Sequence, residues 1–188
     1  MDNPLGKFAD QVAEGNVFSV STLVAGLAIP ISTTTAPTLA LWNRLDSGVR
    51  VVPLRYVIAG VSGTVASTAV GFQYATGAGR EVGATEVYSV FSNTTPVPAR
   101  LGSGAVSNIY ASAAGTNTLV AAIVAWISPA FHLGKEVINT DIVPSGSLIY
   151  DFEGLVQLEP GTTIFPAAAA ASGALFQQTL YWAEVPLS

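Results

Sequence analysis

From Asn16 onward the chain is cut into short segments rich in Val, Ile, Thr, Tyr and Phe, separated by Gly, Pro, Ser and Asn. This punctuation constrains the fold more than any other feature. β-branched and aromatic side chains suit a pleated, half-buried surface, while Gly, Pro and Asn supply the backbone angles that turns require. The pattern predicts strands near 17–24, 38–43, 49–61, 67–75, 84–92, 105–113, 117–128, 147–158, 162–165 and 175–185. Ten short strands on one chain imply an all-β protein, an antiparallel β-sandwich or jelly roll. We find no internal repeat, linker or charge block, so residues 16–188 read as one domain.

Two segments carry opposite patterns. In "LIYDFEGLVQL" (148–158), Leu148, Tyr150, Phe152, Val156 and Leu158 share one parity, and Asp151, Glu153 and Gln157 share the other. That alternation predicts one buried and one wet face. "TLVAAIVAWI" (118–127) is apolar at both parities, with Leu119, Ile123 and Ile127 opposed to Val120, Val124 and Trp126. Such a strand needs cover on both sides. The facing sheet supplies one; a loop, an arm or a neighbouring subunit must supply the other.

Residues 1–15 read differently, as a short arm or helix. Asn3 before Pro4 has the form of an N-cap followed by a first-turn proline, and Leu5, Phe8 and Val12 form a stripe that ends at Gly15. Near the other end, the alanine tract 167–171 lies between Pro166 and Gly173. It is too short to meet the cost of helix nucleation, so it predicts a loop between two late strands.

Charge explains what the surface faces. Charged residues make up only 10% of the chain, against about 25% in an average globular domain. Seven basic and twelve acidic residues give a net charge of −5, with no basic cluster to neutralise phosphates, which argues against a nucleic-acid partner. A membrane span is not expected either. The run 17–32 is dotted with Ser and Thr and stopped by Pro30, and the run 118–134 is broken by Ser128 and Pro129. The first fifteen residues hold one lysine, three acids and no apolar stretch of the kind that directs secretion. With no cysteine, disulfides and thiolate chemistry are excluded. A subunit whose surface is covered by other subunits can dispense with surface charge, so oligomerisation is the expectation.

Candidate chemistry is sparse. His132 is the single histidine and has no ligand partner at helix or hairpin spacing. Asp151 and Glu153, two apart on an expected strand, project their carboxylates to the same side in the manner of paired glycosidase acids, or simply line a solvent-facing strand. Glu159 beside Pro160 and Gly161 reads as a turn residue. Glu184, inside an apolar strand, is expected to pair with Arg44, Arg55 or Arg100. "GAGREVG" (77–83) lacks the spacing of a dinucleotide loop and reads as a hairpin tip carrying Arg80 and Glu81. Asn93 in "NTT" fits a glycosylation acceptor, which matters only on a eukaryotic secretory route. No catalytic, cofactor-binding or metal-binding residue is assigned.

The succession "GLAIPIS", "PTLALWNRLDSGVRVVPLRYVIAG", and "GLVQLEPGTTIF" running to "QTLYWAEVP" resembles jelly-roll structural proteins of tailed bacteriophages, the virion components that decorate capsids or form head fibres. The resemblance spans most of the chain from about Leu23, in scattered pieces. It implies that the "LEPGT" turn leads into the last strands of the sandwich and that "WAEVP" lies in the closing strand. It also implies self-association, often as a trimer, docking on the major capsid protein or another virion subunit, location in the virion after assembly in the host cytoplasm, and no catalytic residues. The N-terminal arm has no counterpart in that pattern. The expected function is therefore a capsid decoration or cement subunit. The alternative is a receptor- or glycan-binding module at a fibre or tail tip, with Tyr74, Tyr88, Tyr110 or Trp42 as aromatic platforms.

Overall fold

The computed structural model describes residues 8–33, 35–77, 87–133 and 147–187. Two five-stranded antiparallel sheets carry the fold. The first contains β1 (Val17–Ser21), β3 (Val49–Ser62), β6 (Val97–Pro98), β10 (Ser147–Asp151) and β12 (Leu175–Pro186), in the order β10-β3-β12-β1-β6. The second contains β2 (Ala40–Asn43), β4 (Thr68–Thr76), β7 (Tyr110–Ser112), β9 (Ile123–Leu133) and β11 (Thr162–Ala168), in the order β7-β2-β11-β4-β9. A two-stranded ladder of β5 (Tyr88–Val90) and β8 (Thr118–Leu119) is separate.

The pairs are nested. β1 pairs with β12, β2 with β11, β3 with β10 and β4 with β9, all antiparallel, and successive pairs alternate between the two sheets. The chain thus runs as a long hairpin shared between two sheets, an all-β sandwich. Its core lies between the sheets, where Tyr56 and Trp182 of the first meet Leu41, Phe72 and Ile164 of the second. The rings of Tyr56 and Phe72 meet edge-on at 5.1 Å, and Phe152 closes on Phe72 at 4.7 Å. Each such side chain removed from water contributes about 1.5–3 kcal/mol.

Strand β3 shows how sequence and register fit together. Val49 and Val51 point inward at odd positions, whereas Tyr56 and Ile58 point inward at even ones. The parity switches because β12 places Tyr181 opposite Arg55 and Trp182 opposite Pro53, leaving Leu54 as an extra residue. A bulge there accommodates a proline with no N–H to donate. Leu54 turns to the outer face and packs with Val17 and Ala183.

Both outer faces have local cover. Helix α1 (Ala9–Glu14) is capped by Gly15 in the left-handed conformation (φ 81°), and Phe8 and Val12 pack on Val17, Leu54 and Ala183. The arm is therefore docked on the first sheet; the expected cap at Asn3 and Pro4 lies outside the described residues. On the second sheet, Trp42, Ala75 and Phe165 are covered by Val87, Tyr88 and Leu119. Among the described residues no helix is long and apolar enough to cross a membrane.

Several expected strands are shorter or divided. The 105–113 segment pairs only over Tyr110–Ser112, and the 84–92 segment is described only from residue 87, with pairing at Tyr88–Val90. The expected strand 147–158 stops at Asp151. A turn through Glu153 and Gly154, both at positive φ, interrupts it, and pairing resumes as a bridge between Leu158 and Val51. Leu155 consequently stands exposed, while Phe152 and Leu158 are buried as expected. The alanine tract is only partly a loop. Ala167 and Ala168 are buried in β11, which also holds Pro166 opposite Phe72. The proline fits because pairing with β2 ends at Ile164; two residues on, the Ala168 N–H instead reaches the Pro30 carbonyl at 2.8 Å.

The "TLVAAIVAWISPAFHL" region departs furthest from a single strand. It divides into β8 and β9, and β9 slips register against β4 between Val70 and Gly71, between Phe72 and Gln73, and between Tyr74 and Ala75. Each slip breaks the alternation of side chains. Leu119 is buried and Ile123 and Ile127 are half-buried, but Val120, Val124 and Trp126 stay 48%, 52% and 38% exposed.

Candidate functional site

Glu184 is the buried carboxylate of the molecule's β12 end. Its neighbour Trp182 is drawn into the core, and the alternation of β12 carries Glu184 to the same inner side. The partners are not arginines. Oε1 accepts from Ser107 Oγ at 2.5 Å and from Trp182 Nε1 at 3.2 Å, and Oε2 accepts from the Asn108 backbone N–H at 2.9 Å and from Asn108 Nδ2 at 3.2 Å. Four neutral donors thus occupy the roughly four acceptor positions of a carboxylate. The expected pairing with Arg44, Arg55 or Arg100 is corrected accordingly. A buried anion needs its hydrogen bonds completed, and dipoles from the 107–108 loop and the Trp182 indole of β12 complete them here without a counter-charge. The effect is to tie residues 107–108 to β12, with no acceptor position left for a substrate.

The arginines are engaged elsewhere. Arg55 grips Asp151 with two bonds, at 2.7 and 3.1 Å, across the β3–β10 pair, and this hydrogen bonding raises the guanidinium further above its ordinary value. Arg50 donates to Glu159 at 2.6 Å. Arg44 bonds Asp46 at 3.0 Å and the Tyr110 hydroxyl at 2.7 Å, and lies over the Tyr110 ring. The two-carboxylate arrangement is not assembled. Asp151 is the last residue of β10 and faces Arg55, while Glu153 sits in the following turn with φ 56°, so they do not share a strand face.

His132 lies exposed on β9, its Nε2 3.4 Å from Ser67 Oγ. Among the described residues no group of three or more His, Asp or Glu side chains gathers to hold a metal. Asn93 accepts a hydrogen bond from the Ala111 N–H, and all of 77–83 except Gly77 lies outside the described residues.

The four aromatic candidates separate into two kinds. Trp42 and Tyr88 are buried, in contact with each other at 5.4 Å and with Phe91, so neither is an exposed platform. Burial pushes the Tyr88 phenol up, as it does for Tyr56, whose hydroxyl donates to Gln178 Oε1 at 2.8 Å. Tyr110 is half-buried under Arg44. Tyr74 lines a cleft of about 320 Å³ with Ile127, Leu155, Gln157 and Thr162. A second cleft, of about 420 Å³, lies beside the end of α1 and is lined by Glu14, Phe18, Val49, Arg100, Val106 and Pro186 among others. Sequence reasoning missed it because its walls come from four separate stretches of chain, none of which carries a motif.

No protein-family model matches this sequence, and no match was found among curated proteins or solved structures.

Proposed function

We propose that this chain is a virion structural protein, a capsid decoration or cement subunit of a tailed bacteriophage that self-associates and binds the phage head. One observation carries the reading: Val124 and Trp126 of the edge strand β9, with Val120 just before it, are apolar side chains that the isolated subunit leaves in water. Exposed side chains of this kind are a cost to a free monomer and a contact surface in an assembly. The nested antiparallel pairing of the sandwich and the commitment of Asp151, Glu159 and Glu184 to internal bonds support the same reading. Mechanistically, each subunit would bury area across neighbouring shell proteins and so resist expansion from within. The test is co-sedimentation with heads assembled without this chain. Saturable binding that Trp126→Asp weakens is expected; no binding, with a soluble folded subunit, overturns the reading.

A second reading, a receptor- or glycan-binding module, rests on Tyr74. Its ring stands at the 320 Å³ cleft beside Thr76, Gln157 and Thr162, an aromatic face with hydroxyl and amide groups around it. Binding on a glycan array that Tyr74→Ala abolishes would favour it over shell attachment.

A further inference from the structure

The four sheet edges of the molecule are finished differently. β6 has two residues and β7 three, too short to offer a ladder, and β9 slips register three times. β10 carries none of these protections. Its five residues pair with β3 in one unbroken register, from Ser147 opposite Ala59 to Asp151 opposite Arg55, without a lysine or a proline. Among the described residues no further strand pairs beyond it. An edge in this state is a template for another strand.

One contact fixes which backbone groups point outward. The Phe152 N–H donates to the Leu54 carbonyl at 3.0 Å, one step past the Asp151–Arg55 pair, so Phe152, Tyr150 and Leu148 turn their backbone groups toward β3. Ser147 and Ile149, at the alternate positions, turn their N–H and C=O away from it. The side chains here are open as well: Ile149, on the outer face, is 57% exposed, and Leu148 is 37% exposed even though it shares the core side with its partner Ile58.

We propose that β10 pairs antiparallel with β10 of a second copy, about a two-fold axis at Ile149, and joins two first sheets into one. Ile149 of each copy exchanges both backbone hydrogen bonds with Ile149 of the other, and the two side chains meet on the outer face. Leu148 of each copy falls opposite Tyr150 of the other on the core side. A second copy is the occupant that the register favours, because the same strand, reversed, sets an apolar side chain against each exposed one. Charge does not oppose the pairing. The strand's one charged residue, Asp151, is held by Arg55 and falls opposite Ser147 of the copy, and the two Asp151 residues stand about 14 Å apart along the strands. The inference rests on the self-association proposed above and names a surface for it.

The test is sedimentation equilibrium of the wild type, Ile149→Pro, Ile149→Lys and Ile149→Glu, each checked for fold by circular dichroism and thermal melting. Proline removes an N–H that the subunit's own ladder does not use, so the fold is expected to stand while association weakens about tenfold or more. Lysine or glutamate at 149 faces its own charge across the axis and weakens association to a similar degree. An equal mixture of the Lys and Glu variants is expected to associate again, since residue 149 of one copy then meets the opposite charge on the other. Association indifferent to all three variants, or a mixture that does not recover, overturns this assignment while leaving self-association standing. A wild-type monomer at every concentration also overturns it, and head co-sedimentation then judges the shell reading separately. Loss of head binding in Ile149→Pro without any change in mass places a shell protein, not a second copy, on this edge and overturns it too.

Discussion

Strands β12 and β9 are of similar length and similarly apolar, yet they end in opposite situations. β12 lies between β3 and β1, and its inward positions Phe176, Gln178, Leu180, Trp182 and Glu184 are all buried. β9 lies at the edge of the other sheet and slips register three times, leaving Val124 and Trp126 in water. Apolar composition alone therefore does not say where cover comes from. In β12 it comes from the fold; in β9 the fold supplies part, and Val124 and Trp126 stay exposed, which the proposed assembly would cover. Bulges along β9 also spoil the flat ladder that would otherwise template indiscriminate strand addition.

The largest expected contrast is between tryptophans on the two strands. Trp182→Ala is expected to cost about 3–5 kcal/mol in urea denaturation, because it opens a cavity beside Phe18 and removes one of the four donors to Glu184. Trp126→Ala is expected to cost the isolated subunit less than about 1 kcal/mol and instead to reduce assembly. Equal losses in subunit stability would erase the distinction. Next in size is Glu184→Ala, which leaves both Asn108 donors and the Trp182 indole without their Glu184 acceptor and the Ser107 hydroxyl with only the Ile109 carbonyl. A loss of about 2–4 kcal/mol is expected, with Glu184→Gln intermediate.

Alkaline pH sharpens the same contrast, because the core holds Tyr56 and Tyr88 protonated. Burial raises both phenols above the ordinary value near 10, so the folded state binds protons that the unfolded chain releases. Their contribution is intact below about pH 10 and is lost as pH rises beyond it. Denaturation midpoints should fall there, with a shallower fall in Tyr56→Phe; a flat profile would contradict the burial. The smallest effect is expected for Asp151→Asn at the partly exposed Arg55 pair, at most about 1 kcal/mol by thermal melting.

The elements that could be read from the sequence were those whose side-chain alternation survives intact. β1, β2, β4 and β12 fall close to where their patterns place them: β1 and β2 keep one register with their neighbours, β4 keeps one with β11, and β12 keeps one with β1. β9 and β10 did not, for local reasons. Bulges in β9 mix the two parities, and Gly154 next to Glu153 turns the chain where an unbroken pattern had suggested strand. The alanine tract was half misread because its first two residues are small enough to sit fully buried beside β4. Glu184 was recognised as needing partners, but their identity depended on a loop 76 residues away, and the residues 107–108 carry no signal of their own. The cleft near α1 was invisible for the same reason.

Sedimentation equilibrium of the wild-type protein over a wide concentration range tests the central claim most directly. The proposed self-association predicts a mass that rises to a fixed multiple of the subunit, with Val124 and Trp126 of β9 covered in the assembly. A well-folded monomer at all concentrations that also ignores phage heads would contradict it.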